Sequence, residues 1–328
     1  MKKLIMAGPS KSKIVECDIP KINEDQVLIK TVYVGLCHSE WYPWTIAKEG
    51  EIFGHEPMGV IAEVGKNVKG FKVGERVSGM GGGIAEYMVQ ETWQLVKIPD
   101  NVSDEDGIVE PHSCLLSAVS RVPVKTQGDT AVVVGAGYMG LGTVSLLKLK
   151  GAGRIIAIDP RDEARENALR FGAAEVYSPD KLPSGFLLNF QSISADLSDE
   201  GNQSVDIFKT GFQSVVEFAG TSDSLKLAGD LVCAHGYLGI GGYHNDGNRD
   251  VDFMLWNFKS MVVDNLHERR DDYKAHCAQN SMNLLAGGQW QFKGVCNHIY
   301  SMEDADQGFR DMDSRPKGFI KGLIRCCE

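Results

Sequence analysis

Apolar and polar residues are arranged differently in the two main parts of the chain. Up to about residue 125, short apolar runs are broken by glycine and proline. Those runs lie at 26–35, 58–65, 75–80 and 84–90. Short strands separated by turn residues favour a largely antiparallel β domain.

Beyond residue 125, strand-like runs alternate with helical patterns. The run from Ala131 to Val134 precedes a helical stretch to about Lys150, and RIIAIDP at 154–160 precedes another at 161–171. Further strands are predicted at 214–220 and 236–242, helices near 271–286 and 302–313, and a last strand at 319–324. This alternation is typical of βαβ units and a parallel sheet.

The segment 178–204 is polar at both ends and apolar in the middle, and it is longer than a simple βαβ connection requires. It predicts a surface insertion, either a loop with one packed helical turn or a lid over a partner or substrate.

Composition limits the classes of function. With 328 residues, 43% of them hydrophobic, the chain can fill two ordinary domains. A net charge of −10 argues against nucleic-acid or anionic-membrane partners. No apolar run is long enough for a signal-peptide core or a membrane span. The eight cysteines show no C-x-x-C spacing, which favours free thiols and a cytoplasmic location.

A glycine-rich turn follows the strand at 131–134. The glycines of G-x-G-x-x-G permit the tight turn, the approach of a pyrophosphate and close helix packing, and Asp159 ends the next strand. A carboxylate there accepts hydrogen bonds from ribose hydroxyls and repels a 2′-phosphate, which predicts NAD. The predicted cofactor-binding residues are Gly135, Gly137, Tyr138, Met139, Gly140 and Asp159. Arg161 and Arg165 leave NADP open, and a Rossmann turn for another ligand is the alternative.

A second motif combines potential metal ligands. His55 and Glu56 lie on a glycine turn before an apolar strand, and Cys37 lies 18 residues upstream of His55. A thiolate, an imidazole and a carboxylate together suit zinc. Each has an ordinary alternative, because buried cysteines and single histidines are usually structural.

The two motifs occur in the order and spacing of a known family. GHEPMGVIAEVGKNV at 54–68 resembles the zinc signature of the zinc-dependent medium-chain alcohol and polyol dehydrogenases. Sequence segments that also resemble this family lie at 35–41, 70–77, 83–89, 109–114 and 318–324. The resemblance implies an α/β protein with a GroES-like, mainly β catalytic domain at 1–120, completed by 265–328. It implies a Rossmann domain with a doubly wound parallel sheet at 121–264.

The resemblance also implies a metal site. Cys37, His55, Glu56 and Glu110 match the ligand positions, and Glu110-Pro111 is typical of the sorbitol dehydrogenase branch. Glu56 ligates the metal directly or through water in that branch, and Cys114 is a rival for the third ligand. The lobe that holds a structural zinc in many relatives has no counterpart here, so one catalytic zinc is expected.

Further roles follow from matched positions. Ser39 corresponds to the hydroxyl that passes the substrate's proton toward the nicotinamide ribose, and Glu56 is the second predicted catalytic residue. His38 and Lys321 are expected near the cofactor phosphates. Glu40 corresponds to an acidic residue that orients His55. Trp41, Trp44 and His267 are candidate substrate contacts, although core packing or solvent exposure also explains such residues.

The predicted activity is hydride transfer between a secondary alcohol and NAD, with a sugar, polyol or cyclitol preferred. The alternatives are an amino-alcohol or simple secondary-alcohol dehydrogenase, and a metal-free quinone-reductase-like protein. Family habit implies a homodimer or homotetramer, with no nucleic-acid or membrane partner.

Overall fold

The computed structural model of the chain describes residues 1–124, 128–197 and 206–327. The N-terminal strands are β1 Lys2–Gly8, β2 Lys11–Glu16, β3 Gln26–Gly35, β4 Glu56–Val64, β5 Arg76–Ser78, β6 Tyr87–Glu91 and β7 Val96–Lys97. The helices of this part are α1 Trp41–Thr45 and α2 Val109–Arg121, and single 3₁₀ turns lie at His38–Glu40 and Thr92–Gln94.

The middle of the chain alternates strands and helices. In order these are β8 Thr130–Val134, α3 Tyr138–Lys150, β9 Arg154–Ile158, α4 Asp162–Arg170, β10 Glu175–Tyr177, α5 Phe190–Leu197, β11 Phe212–Glu217, α6 Ser222–Leu231, β12 Val232–Ile240, α7 Phe253–Phe258 and β13 Val262–Asn265. The C-terminal elements are α8 Asp271–Ala286, β14 Cys296–Ser301, α9 Ala305–Ser314 and β15 Lys321–Arg325. No helix in these described ranges has the length and apolarity needed to cross a bilayer.

The chain divides into two compact units. The first comprises Met1–Leu116 together with the chain from Glu268 onward, and the second comprises Ser117–His267. In the first unit, seven strands form one sheet in the order β14-β15-β3-β4-β5-β7, with β6 paired to β3. All neighbours in it are antiparallel except β14 and β15. The predicted, largely antiparallel β architecture is confirmed, and the unit that contains it includes the C-terminal residues.

The register of the first sheet brings separated residues together. Gly35, at the end of β3, pairs with Glu56, at the start of β4. A Cβ at Gly35 would lie 2.0 Å from Oε2 of Glu56, so only glycine leaves room for this carboxylate. On the other side of β3, Leu323 of β15 pairs with Gly35. Three strands therefore converge where Cys37 leaves the sheet.

Trp44 belongs to the core of the first unit. It is 3% exposed, and its ring stacks on Phe309 with centroids 5.3 Å apart. Its Nε1 donates to Oδ1 of Asp306 over 3.1 Å, and the amide and hydroxyl of Ser12 donate to the same carboxylate. The prediction that Trp44 lines a substrate pocket is therefore wrong, because α9 covers the ring.

The second unit contains a parallel sheet of six strands in the order β10-β9-β8-β11-β12-β13. Counting from β8, this is the doubly wound order 3-2-1-4-5-6, whose switch point lies between β8 and β11. The predicted parallel sheet with alternating helices is confirmed. Ligands of such sheets bind at the carboxyl ends of the strands beside the switch point.

The segment 178–204 is described in part. Leu188 is fully buried, its amide donates to the carbonyl of Asp230 over 2.8 Å, and α5 follows it. Residues 198–204 lie outside the described residues. A packed apolar middle agrees with the sequence pattern, and the choice between insertion and lid stays a prediction.

Candidate functional site

Three potential metal ligands meet in the first unit. One donor atom each from Cys37, His55 and Glu56 lies within 4.8 Å of the other two. Cys37 follows β3, Glu56 begins β4 and His55 immediately precedes it, so the pairing of these strands assembles the group. Tetrahedral zinc, with bonds of about 2.0–2.3 Å, holds its donors about 3.3–3.8 Å apart, so binding would draw the three donors closer together than this limit.

The imidazole of His55 is hydrogen-bonded to a carboxylate through Nδ1. Oε1 of Glu40 lies 2.7 Å from Nδ1 of His55 and also accepts the amide of Gly54 over 2.7 Å. With Nδ1 bonded to Glu40, Nε2 is left for a metal. A carboxylate that orients a ligating histidine is a common feature of metal sites.

The proton balance of His55 follows from these contacts. Burial favours the neutral ring, but hydrogen bonds with Cys37 and Glu40 outweigh burial and raise the pKa of His55 to about 12. A cation that binds these donors must displace that proton. Ser39 lies beside Cys37, and its hydroxyl donates a hydrogen bond to Sγ of Cys37 over 3.2 Å.

Glu56 forms a buried ion pair with Lys321. Nζ of Lys321 lies 2.7 Å from Oε2 of Glu56 and donates to the carbonyl of Leu36 over 3.0 Å. Burial alone would lower the pKa of Lys321, but the negative charges of Glu56 and Cys37 outweigh burial and raise it. The ammonium is thus buried beside Glu56, and the expected contact of Lys321 with the cofactor phosphates stays a prediction.

Glu110 lies near this group without joining it. Oε1 of Glu110 accepts a hydrogen bond from Sγ of Cys114 over 3.6 Å. Burial raises the pKa of Glu110, and the charge of Glu56 raises it further. Metal ligation by Glu110 stays a prediction, as does the rival role of Cys114.

In the second unit, the glycine turn has the expected geometry. Gly135 has a φ of 93°, and a Cβ at Gly140 would lie 1.8 Å from the carbonyl oxygen of Gly135. Gly137 is the N-cap of α3, which begins with Tyr138 and Met139. The turn thus presents the N-terminus of α3, where backbone amides favour an anion.

Asp159 lies beside this turn. Its Oδ2 accepts the amide of Ala136 over 2.9 Å, and its carboxylate forms an ion pair with Arg161 at 3.1 Å. Arg165 instead donates to the backbone carbonyl of Asp159. The contact of Asp159 with the ribose stays a prediction. In the structure, its carboxylate holds the guanidinium of Arg161 in an ion pair.

The remaining predicted residues have surface positions. Nε2 of His38 lies 3.5 Å from Asp313, and its ring stacks on Trp41 with centroids 5.8 Å apart. His267 is exposed, and its ring centroid lies 5.0 Å from that of Tyr243. Their roles toward cofactor and substrate stay predictions.

Comparison with known proteins agrees with this geometry. Residues 23–100 match the family described as alcohol dehydrogenase GroES-like domain. An uncharacterised zinc-type alcohol dehydrogenase-like protein, YdjJ of Escherichia coli K12, is 26% identical over 98% of each chain. Sorbitol dehydrogenase of Bacillus subtilis is 26% identical over 90% of this chain and 95% of its own. Over nearly its whole length the chain is therefore similar to zinc-type medium-chain alcohol and polyol dehydrogenases.

Solved structures support the same fold. A crystal structure from Escherichia coli, titled an oxidoreductase/dehydrogenase of unknown specificity, is similar with a TM-score of 0.81. It is 25% identical, and the match covers 100% of this chain and 99% of that one. The first unit therefore has the GroES-like fold and the second the Rossmann fold, which agrees with the predicted fold class.

The donor group fits a zinc ion. Sulfur, imidazole nitrogen and carboxylate oxygen are the donors zinc prefers. Oε1 of Glu56 is buried without a hydrogen-bond partner, as is Oε2 of Glu40. A buried carboxylate oxygen without a partner is costly, and a cation beside Glu56 would satisfy it.

A cavity of about 410 Å³ opens beside the donor group, and His55 and Glu110 are among its lining residues. Its volume is within the range of small-molecule sites, about 300–1,000 Å³. Sequence reasoning missed the residues that form its remaining wall, because they come from segments far apart in the chain. It also missed that Lys321 pairs with Glu56, although the register of β15 on β3 places them together.

The buried ion pair generates a prediction about stability. In Lys321→Met, the charge of Glu56 stays buried without its partner, so we expect the free energy of unfolding to fall by about 3–5 kcal/mol. Urea unfolding in the presence of a chelator measures it. The matched control is Glu56→Gln combined with Lys321→Met, which should recover most of the loss. A single variant within about 0.5 kcal/mol of wild type would contradict a net role for the pair.

Proposed function

We propose that this chain is a zinc-dependent, NAD-linked dehydrogenase of secondary alcohols that prefers a polyol, sugar or cyclitol. The observation that carries the proposal is the convergence of Cys37, His55 and Glu56, with Oε1 of Glu56 lacking any other partner. The name of the Bacillus subtilis relative, sorbitol dehydrogenase, supports the substrate class.

The residues of the first unit would bind the metal, orient His55 and accept the substrate's proton. When bound, zinc supplies a Lewis acid that lowers the pKa of a hydroxyl. Cys37, His55 and Glu56 would hold it, with Glu40 fixing the orientation of His55. Ser39 lies beside Cys37 and can accept the proton that a substrate hydroxyl loses.

The residues of the second unit would bind the hydride acceptor. The amides at the start of α3 suit a pyrophosphate, and Asp159 suits ribose hydroxyls. A nicotinamide bound there would supply the hydride acceptor, and loss of a hydride and the hydroxyl proton would convert the secondary alcohol to a ketone.

Metal content provides the first test. We expect about one zinc per chain, and loss of alcohol-dependent NADH formation after chelation with recovery on adding zinc. Because His55 must lose a proton, zinc affinity should rise with pH, and loading near pH 7 should release protons. Elemental analysis, absorbance at 340 nm and a pH indicator measure these effects.

Cys37→Ser should lower zinc content and turnover together. Cys17→Ser is the matched control, because Cys17 is an exposed thiol outside the donor group. A zinc-free preparation with full activity would favour the quinone-reductase-like alternative and refute the proposed chemistry.

Cofactor choice provides a second test. We expect kcat/KM for NAD to exceed that for NADP in the wild type. Asp159→Ser should lower the ratio of kcat/KM for NAD to kcat/KM for NADP by at least about ten-fold. The substitution removes the repulsion of a 2′-phosphate and frees Arg161. Glu166→Ser is the control, since Glu166 is an exposed carboxylate on α4. Equal use of both cofactors by the wild type would refute the role given to Asp159.

We further propose that copies of the chain associate through β13. This strand lies at the edge of the parallel sheet, and Val262 and Val263 are 57% and 39% exposed. Successive residues of a strand face opposite sides, so both faces of the edge carry uncovered apolar surface. Phe253 and Met254 of α7 are also about 70% exposed.

Light scattering after size-exclusion chromatography should therefore find a dimer or larger assembly. Val262→Lys should dissociate it, because the substitution places a charge on the edge strand. Val73→Lys is the control, since Val73 is 64% exposed in the first unit. A monomeric wild type would exclude this interface.

A further inference from the structure

The cavity beside the donor group has a wall that the proposed chemistry leaves unexplained. Besides His55 and Glu110, it is lined by Met80, Gly81, Trp93, Gln94, Asp271 and Lys274. All of these residues belong to the first unit. The wall comes from the segment after β5, the 3₁₀ turn Thr92–Gln94 and the first turn of α8.

Gln94 holds this wall in place through both ends of its side-chain amide. Its Nε2 donates to the carbonyl of Met80 over 3.1 Å, and its Oε1 accepts the amide of Glu91 over 3.0 Å. The 92–94 turn is therefore tied to the segment after β5, and α8 packs against the turn. Trp93, 47% exposed, has its indole ring partly uncovered on this fixed turn.

Asp271 and Lys274 keep hydrogen-bonding capacity. Nζ of Lys274 lies 3.6 Å from Oδ1 of Asp271, which is an ion-pair distance too long for a hydrogen bond. The carboxylate can therefore accept and the ammonium can donate hydrogen bonds within the cavity. Their opposite charges cancel, so the pair suits a neutral ligand rich in hydroxyl groups better than an anion.

We propose that Asp271 and Lys274 select a neutral polyhydroxylated substrate by hydrogen-bonding hydroxyls beyond the reacting carbon, while Trp93 covers its C–H face. This inference rests on the proposed dehydrogenase function and adds specificity residues to it. A small number of placed polar groups beside an aromatic surface is the usual arrangement for orienting a small ligand. An alcohol with a single hydroxyl would not engage the pair.

The test compares substrates that share the reaction and differ in their additional hydroxyls. Sorbitol, ribitol and myo-inositol serve as polyol probes, 2-butanol as the single-hydroxyl probe and gluconate as the anionic probe. We expect Asp271→Ala and Lys274→Met each to lower kcat/KM for the best polyol by about ten-fold or more. Activity with 2-butanol should change by less than about two-fold, which also shows that the variants fold.

Asp272→Ala is the matched control, because Asp272 is an exposed carboxylate in the same first turn of α8. It removes the same charge from the helix N-terminus without removing a cavity residue. We expect it to leave both substrate classes within about two-fold of wild type.

Three results would overturn the inference. Equal losses with polyols and 2-butanol would show that the pair acts on the fold or the chemistry. Unchanged kcat/KM for polyols would show that it does not contact them. A wild-type preference for gluconate that Lys274→Met abolishes would show that the ammonium recognises an anion. If the zinc-loaded wild type oxidises none of the alcohols, the proposed function itself fails, and the inference fails with it.

Discussion

The buried ion pair between Lys321 and Glu56 is the interaction on which the arrangement of the first unit depends. Lys321 begins β15, Glu56 begins β4, and β3 lies between them, so the ion pair crosses the strand that leads to Cys37. The same ammonium binds the carbonyl of Leu36, immediately before Cys37. Lys321 of the C-terminal strand thus balances the charge of Glu56 and also holds the backbone next to Cys37. This is a physical reason why the first unit needs its C-terminal segment.

The two units were predictable from sequence to different degrees. The turn from Gly135 to Gly140 was recognisable because its glycines are dictated locally, by a positive φ and a close approach of backbone atoms. The donor group was recognisable only in part. Sequence spacing identified Cys37 and His55, but the nearness of Glu56 depends on the register of β3 and β4. Register is set by side chains that are distant in sequence, so spacing alone did not distinguish Glu56 from Glu110.

Trp44 and Lys321 have partners within the protein that the sequence did not predict. The sequence assigned Trp44 to a pocket wall as an aromatic ring between Cys37 and His55, and Lys321 to the cofactor phosphates by its match to a family position. In the fold, Trp44 stacks on Phe309 and donates to Asp306, both of α9, whereas Lys321 meets Glu56. Each partner lies more than 250 positions away along the chain. In both cases the partner in the structure is a segment of the protein itself.

The metal donors and the cavity wall come from separate parts of the first unit. The donors are fixed by β3, β4 and β15, where a change of register would break the ion pair and the sheet together. Asp271 and Lys274 lie on the first turn of α8, which begins just after the chain re-enters this unit. Substitutions there alter an exposed helix end and leave the sheet intact, so they cost little stability. The proposed specificity residues of α8 can therefore be substituted while the sheet that assembles Cys37, His55 and Glu56 is retained.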